Sequence, residues 1–460
     1  MNRNCLFLWG LLVLLSGCAT WHNRTAAFQT AVAKGEFEEA DRLLHKDKQM
    51  ARSKNRILFC LNQGYVDFML NRYKESNAAF EQAEILMDKI RRNPAAQAAA
   101  LLSNPETLPY KPEDFEVILV NFYKAMNYLQ MDQMEEALVE VRKINIKLNE
   151  LNDKYPDYKN RYQRDAFAHL LMGLIYEASG NYNDAFIAYR NAYETYQSDY
   201  VKNFGLGAPL QLKYDLLRMA SLCGFTSELR QYETEFGLTY QPEPIPENGE
   251  LILFWLNGLG PVKSERSLEF VKQKGEGGAV VFHNAEYGLT FPFFWSSGYS
   301  EKEKNSLADL KVVRVAFPQY VERPSLYTYG TVRYDNSDYP FEVAEDINQI
   351  AFKTLHDRMV REMATSLLRL AAKQGVEYAA SRQNEWLGWA VGLVNAFTEK
   401  ADTRNWQTLP NTISYIRIPL KSAENTLDLH FTSPKGQSYT EKITVEGRKK
   451  FTRFRVFSTL

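Results

Sequence analysis

The chain has 460 residues, with 55 Lys and Arg against 56 Asp and Glu, for a formal charge of −1. That length accommodates two or three domains with cores of their own, and the balanced charge leaves no electrostatic footprint for nucleic acid. Four cysteines and six scattered histidines set out neither a disulfide framework nor a metal-ligand spacing.

Residues 1–17 read as a secretory signal. Arg3 precedes an apolar run over residues 5–15 that is too short to span a bilayer, and small residues stand before a cleavage point. Leu15, Ser16, Gly17 and Cys18 resemble the bacterial lipoprotein box, in which the cysteine becomes the first residue of the mature protein and carries the lipid. The resemblance implies a diacylglyceryl group and an N-acyl chain of the palmitate kind on Cys18, enough acyl chains for stable anchoring. Ala19 stands where inner-membrane retention shows Asp, so the resemblance also implies the outer membrane, with the body facing the periplasm. Residues 18–23 are then a lipid-anchored tether.

Residues 24–240 carry internal repeats. Gly173, Tyr176, Gly180, Tyr182, Ala185, Tyr189 and Ala192 have the offsets of a tetratricopeptide repeat, in which small residues let two antiparallel helices approach and aromatics fill the space between them. Weaker copies lie on the same frame at Gly35, Phe37, Ala40 and Leu44, at Gly64, Tyr73, Phe80 and Ala83, and at Ala125, Tyr128, Ala137, Val141 and Ile144. The alanine-type positions Ala40, Ser76, Ala137 and Ala185 are 36, 61 and 48 residues apart, so the period is irregular. Part of the extra length is a proline-marked stretch at 94–112, after which Pro112 opens a helix with Glu113 and Asp114 in its first turn. The expectation is an all-α tetratricopeptide-like solenoid whose aromatics Tyr65, Phe68, Tyr73, Tyr123, Tyr128, Tyr176 and Tyr189 are inter-helix packing. A last helical pair at 210–225 and 227–236 caps it.

Residues 241–249 place prolines at 242, 244 and 246 and read as a stiff linker. Beyond it, residues 250–460 show short strand-like pieces at 251–256, 279–282, 289–295, 312–317, 326–334, 341–343, 413–418, 427–431, 439–445 and 451–457. These predict an α+β domain with an antiparallel sheet or sandwich and a helical insertion at about 344–398. The insertion ends in an apolar stretch of about twelve residues, short of the ~17 needed to cross a bilayer, and reads as a helix covering the sheet or, given Trp386 and Trp389, as one resting in the membrane interface.

No HExxH, GxSxG, CxxC or phosphate-binding glycine loop occurs. The expectation is therefore a binding protein and not an enzyme, with no cofactor beyond the lipid. One cluster stands out, Asp402, Arg404 and Trp406 in Ala401-Asp402-Thr403-Arg404-Asn405-Trp406. It reads either as a recognition patch with a carbohydrate-stacking ring or as an Asp402–Arg404 bridge with Trp406 plugging the end of a sheet.

With its lipobox, Pro109-Tyr110 and Glu113-Asp114-Phe115-Glu116, Asn127-Tyr128, Glu136-Ala137-Leu138-Val139-Glu140-Val141-Arg142, the 173–192 repeat and the Ala401-Asp402-Thr403-Arg404, Trp406 and Leu409-Pro410 motif, the chain resembles an uncharacterised family of bacterial tetratricopeptide-repeat lipoproteins. The expected function is a scaffold that binds protein partners through the repeat groove in cell-envelope assembly or peptidoglycan-synthase regulation. The alternative is a carbohydrate-binding lipoprotein that stacks glycan or peptidoglycan on Trp295, Trp386, Trp389 or Trp406.

Overall fold

The computed structural model describes residues 21–91, 105–153, 164–274, 280–286, 289–293, 312–359 and 401–459. The lipobox, the tryptophans at 295, 386 and 389 and most of the helical insertion lie outside the described residues.

Ten helices form five successive pairs: α1 (Trp21–Ala33) with α2 (Phe37–Lys46), α3 (Arg56–Met69) with α4 (Tyr73–Arg91), α5 (Asp114–Gln130) with α6 (Met134–Asp153), α7 (Ala166–Ala178) with α8 (Tyr182–Thr195), and α9 (Leu210–Leu222) with α10 (Thr226–Phe236). One joint is used five times. At Gly35, Asn71, Asp132, Gly180 and Gly224 the backbone turns left-handed, with φ of 71°, 59°, 58°, 77° and 72°. The next N–H returns to the carbonyl five residues back in every case: Glu36 to Ala31, Arg72 to Asp67, Gln133 to Tyr128, Asn181 to Tyr176 and Phe225 to Ala220, at 2.8–2.9 Å. This Schellman closure satisfies the carbonyls that each helix would otherwise leave open. Asn and Asp tolerate the left-handed region, which is why the joint survives where glycine is missing.

Within a pair the helices approach closely where a side chain is absent. A Cβ on Gly64 would lie 2.7 Å from the Phe80 ring, and one on Gly173 would lie 2.3 Å from the Tyr189 ring. Phe80 and Tyr189 are both fully buried, each sixteen residues after its glycine. Tyr189 is also tied down, donating to Glu177 Oε2 at 2.7 Å. Gly173→Ala is therefore expected to lower the unfolding free energy by about 1–3 kcal/mol through overpacking, outweighing the ~1 kcal/mol that alanine gains over glycine in a helix. Gly64→Ala should cost less, because Phe80 has no hydroxyl to hold it. Urea denaturation of the two variants decides this, and an unchanged midpoint for Gly173→Ala would mean that the Tyr189 ring can step aside.

Three four-stranded sheets follow. The first has the order β12 (Thr452–Thr459), β1 (Glu250–Asn257), β9 (Thr412–Pro419), β8 (Glu342–Asp346); the second has β11 (Ser438–Glu446), β10 (Glu424–Thr432), β6 (Tyr329–Tyr334), β7 (Ser337–Pro340); the third has β4 (Leu289–Phe293), β3 (Val280–Asn284), β2 (Val262–Lys274), β5 (Val312–Val321). β1 explains the layering. All eight of its residues are buried, because both of its faces are covered. Leu251, Leu253 and Trp255 meet Val332, Leu427, Leu429 and Phe431 of the second sheet. Ile252, Phe254 and Leu256 share one continuous core with the helices, where Phe254 meets Phe167 of α7 at 6.0 Å. The order of layers is helices, first sheet, second sheet.

The structure corrects several expectations. The sandwich is not wholly antiparallel, since β12 runs parallel to β1 over eight residues, Glu250 facing Thr452 and Asn257 facing Thr459. β12 follows the β10–β11 hairpin and crosses from the second sheet to the first, arriving in the direction of β1. Residues 344–346 belong to β8 and helix begins at 347, because Glu342 to Asp346 pair with β9 around a bulge. β2 and β7 were not expected: β2 carries charges between its buried Leu268 and Phe270, which hides the apolar alternation. Glu113 is not in the first turn of α5 but is its N-cap residue. Residues 21–23, expected to belong to the stretch before the repeats, are helical and part of α1. The linker is fastened at its far end, where Leu420 N donates to Gly249 O at 2.9 Å and Lys450 N to Glu247 O at 3.1 Å. Cys60 and Cys223, which could have paired, are instead free thiols, as their helical, apolar contexts favour.

Candidate functional site: the 401–411 segment within the helical array

The first helix of each pair turns toward the sheets, and the segment 401–411 lies in the space between them. Every residue of that segment is buried except Asp402, which is half-buried. An irregular backbone can be buried only if its polar groups find partners, and here the helices supply many of them.

Arg404 forms a bidentate pair with Asp402, Nε to Oδ1 at 2.8 Å and Nη2 to Oδ2 at 2.6 Å. Its remaining nitrogen, Nη1, donates to Lys54 O at 3.2 Å and to Asn55 Oδ1 at 3.1 Å, just before α3. The guanidinium stands 5.6 Å from the centre of the Tyr110 ring. Trp406 is 1% exposed and packs against Phe80 and Tyr123, with ring centroids 5.7 Å away in each case. Its indole N–H donates to Thr408 Oγ1 at 2.8 Å, and Thr408 donates onward to Asn62 Oδ1 at 3.2 Å. Arg323 clamps the other end, donating to Gln407 O, to Gly260 O at 2.6 Å and to Gln29 Oε1 of α1 at 3.2 Å.

Of the two readings of the cluster, the Asp402–Arg404 bridge is formed. Trp406, however, plugs the helical array and not the end of a sheet. The recognition patch is corrected: a ring 1% exposed offers no stacking face to a glycan. Trp21 and Trp255, at 5% and 3%, offer none either. The expected open repeat groove is occupied along α1, α3 and α5 by the chain's own 401–411 segment and along α7 and α9 by β1 and β9.

Two buried charge clusters hold this interface. At the start of α5, the fully buried Glu116 carboxylate accepts from Trp406 N at 2.7 Å, from Glu113 N at 2.9 Å and from the Tyr110 hydroxyl. Burial pushes its pKa up to about 7, assisted by the neighbouring Glu113 and opposed by Lys263 and the hydrogen bonds. Burial also acts on Glu113, but Arg358 and Lys263 outweigh it and hold that carboxyl down at about 2. The signs are opposite. Glu116 contributes stability that is full below about 4.5 and is lost as pH rises through about 7, whereas the contribution of Glu113 is present above 4.5 and is lost as pH falls toward 2. Glu116→Gln is expected to flatten the fall in stability seen by denaturation of the parent between about pH 5 and 7.5; an identical slope in both proteins would refute the assignment.

The second cluster centres on Arg417 of β9, which reaches Glu177 of α7 at 2.7 Å, Glu250 of β1 at 2.6 Å and Asp215 of α9 at 3.0 Å. Arg218 of α9 pairs with Glu177 and, at 3.4 Å, with Glu250. Tyr189 binds the same Glu177 carboxylate, so the repeat's aromatic ring and the sheet's arginine share one partner.

The other residues singled out from the repeat pattern lie together on α7 and α8. Ala185, Tyr189 and Ala192 are fully buried, Tyr176 and Tyr182 are half-buried, and Gly180 is the turn residue. Tyr176 accepts from Arg142 Nε of α6 at 3.1 Å, which links neighbouring pairs. Leu15, Ser16, Gly17 and Cys18 lie outside the described residues. Sequence reading gave no role to Arg323, Arg417, Glu177 or Glu250, and it placed Glu116 only within the Glu113-Asp114-Phe115-Glu116 motif; the capping spacing from Glu113 to Glu116 was the local signal there. Among the described residues no cluster of His, Cys, Asp or Glu has the geometry to hold a metal ion, and no helix is long and apolar enough to cross a membrane.

No family model matches the chain, and no curated protein matches it. Among solved structures it is similar to BtubC (BKLC) from P. vanneervenii at 12% identity and TM-score 0.32, covering 48% of this chain and 83% of that one. It is similar to MamA at 14% identity and TM-score 0.29, covering 48% and 96%, and to NprR in complex with its cognate peptide NprX at 14% and 0.19, covering 51% and 73%. At these scores the likenesses carry nothing about the role of this chain.

Proposed function

We propose that this is a lipid-anchored protein of the outer membrane, facing the periplasm, whose tetratricopeptide-like helical pairs act as a protein-binding scaffold in cell-envelope assembly. The observation that carries the reading is the fivefold recurrence of one helix–turn–helix joint fused to a sheet body through a shared core, an architecture that presents surface and holds it rigid. Because the inner faces of the first helices are filled, the partner docks on the second helices. α4 and α6 are bridged there by Lys147–Glu84 and Arg91–Glu150, and they expose Ile85, Val139 and Ile146 at 54%, 50% and 58%.

The test is crosslinking in cells from photo-reactive residues at 139 and 146, followed by identification of what is captured. Ile146→Asp should abolish a specific protein adduct while leaving thermal stability unchanged, and loss of stability alongside would assign Ile146 to packing instead. Membrane attachment is tested separately: Cys18→Ala is expected to release the protein on washing, and retention would overturn the lipid anchor.

A further inference from the structure

We infer that β8 is a proton-operated latch: Glu345, buried beside Asp165 at the contact between sheet and helices, holds the strand to the fourth helical pair while it carries a proton and releases it as pH rises.

The latch is built from two irregularities of the backbone. The chain leaves α8 through a π-helical turn, Tyr196–Tyr200, a rare conformation found mostly as single turns, frequently at functional sites. It sets Tyr196 and Tyr200 side by side, with ring centroids 5.2 Å apart and both residues fully buried. Opposite them, β8 is bulged between Val343 and Glu345. A bulge re-aims side chains. Glu342 and Glu345, which a regular strand would send to opposite faces, here both reach helices. Glu342 accepts from Leu210 N at 3.1 Å and from Gln211 N at 2.7 Å at the start of α9. Tyr196 donates to Ala344 O at 2.5 Å, and the Tyr200 hydroxyl lies 3.1 Å from Glu345 Oε2.

Counting hydrogens shows why a proton is needed. The same Tyr200 hydroxyl lies 3.4 Å from Asp165 Oδ1, which caps α7 by accepting from Ala168 N at 2.7 Å. A hydroxyl has one hydrogen to give. Two ionised acids compete for it. With Glu345 protonated, its own O–H donates to the Tyr200 oxygen while Tyr200 donates to Asp165, and both contacts are made.

The surroundings favour that protonated state. Among the described residues no lysine or arginine pairs with Glu345, which is 2% exposed, whereas the buried Glu113 and Glu250 each pair with two. Burial raises the Glu345 pKa well above the ordinary carboxylate range, helped by Asp165 and Asp346 and opposed by the Tyr200 hydrogen bond. The other groups on the elements around it supply no cation. Arg164, before α7, pairs with Asp199 at 2.8 Å. Burial, with Arg164, takes the pKa of His169 on α7 down to about 4, and burial keeps Tyr196 and Tyr415 of β9 neutral.

Because its folded-state pKa is raised, Glu345 contributes stability that is full below about 4.5 and is lost as pH rises through the raised value. β8 is the edge strand of its sheet, so it opens with only β9 to leave, and the helix that starts at 347 loosens with it.

The experiment is hydrogen–deuterium exchange of the full chain, read by mass spectrometry and corrected for the intrinsic effect of pH on exchange. Protection over residues 342–349 is expected to fall about tenfold between about pH 5.5 and pH 8.5, while the fully buried β1 changes much less. In Glu345→Gln, which is neutral at every pH, the fall over 342–349 should vanish. Tyr200→Phe, which removes the hydrogen bond opposing the shift, should move the midpoint to higher pH. An equal fall over 250–257 would make the event global unfolding and overturn the latch. So would a pH dependence that survives in Glu345→Gln, or a midpoint unmoved in Tyr200→Phe.

Discussion

Trp406→Ala is expected to destabilise the protein by about 3–5 kcal/mol, the range for removing a large aromatic from a packed core. The ring fills the space between Phe80 and Tyr123 and is 1% exposed, so no solvent-side relaxation closes the cavity. Removing it also strands Thr408, whose hydroxyl accepts the indole N–H while donating to Asn62. Chemical denaturation gives the size of the effect. Limited proteolysis locates it, because cleavage should appear first in the 401–411 segment. Trp406→Phe should recover roughly half of the loss, keeping most of the volume and losing the hydrogen bond. A Trp406→Ala protein within 1 kcal/mol of the parent, an order-of-magnitude threshold for surface substitutions, would mean that the segment does not hold the two halves together.

Arg417→Ala should cost a comparable amount, about 3–5 kcal/mol, because it leaves Glu177, Asp215 and Glu250 buried with only Arg218 to balance them. The pH dependence distinguishes this from a simple cavity. Burial raises the pKa of Glu177 even with both arginines in place, whereas the arginines hold Glu250 down at about 2 against the effect of burial. Without Arg417, Glu177 and Glu250 lose the attraction that favours their charged forms, protonate more readily, and lose less by being buried at low pH. The deficit relative to the parent is thus expected to be smaller at about pH 5 than at about pH 8. A deficit that does not change with pH would assign the loss to packing alone.

Both predictions concern the contact between the helices and the sheets, which was the least legible feature of the sequence. Asp402, Arg404 and Trp406 stood out as a motif, and the local bridge between Asp402 and Arg404 was one of the two readings drawn from their spacing. Their destination was not readable. Arg404 bonds to Asn55 and Trp406 to Glu116 across separations of 349 and 290 residues, and no periodicity reports contacts of that range. Glu116 and Arg417 likewise read as ordinary charges on a helix and a strand until the fold places them face to face.

The repeat half was legible for the opposite reason. Gly173 and Tyr189 are sixteen residues apart because one helix, one turn and part of a second helix lie between them, so a local rule sets their contact. Gly35, Gly180 and Gly224 reveal the joint by their lack of a side chain, while Asn71 and Asp132 adopt the same backbone with little sequence signal. β1 was readable as a buried strand from its unbroken apolar run.

The sequence by itself determined the helix pairs, most of the strands and the break at 241–249, because each follows from propensity, periodicity and turn chemistry acting over fewer than about twenty residues. Tertiary structure alone decided that the inner side of the helical array is filled by this chain's own sheet and 401–411 segment. It also paired β12 parallel to β1 and brought Arg323, between β5 and β6, against Gln29 of α1. Those outcomes depend on which apolar faces find each other, and a buried face looks the same in sequence whatever covers it.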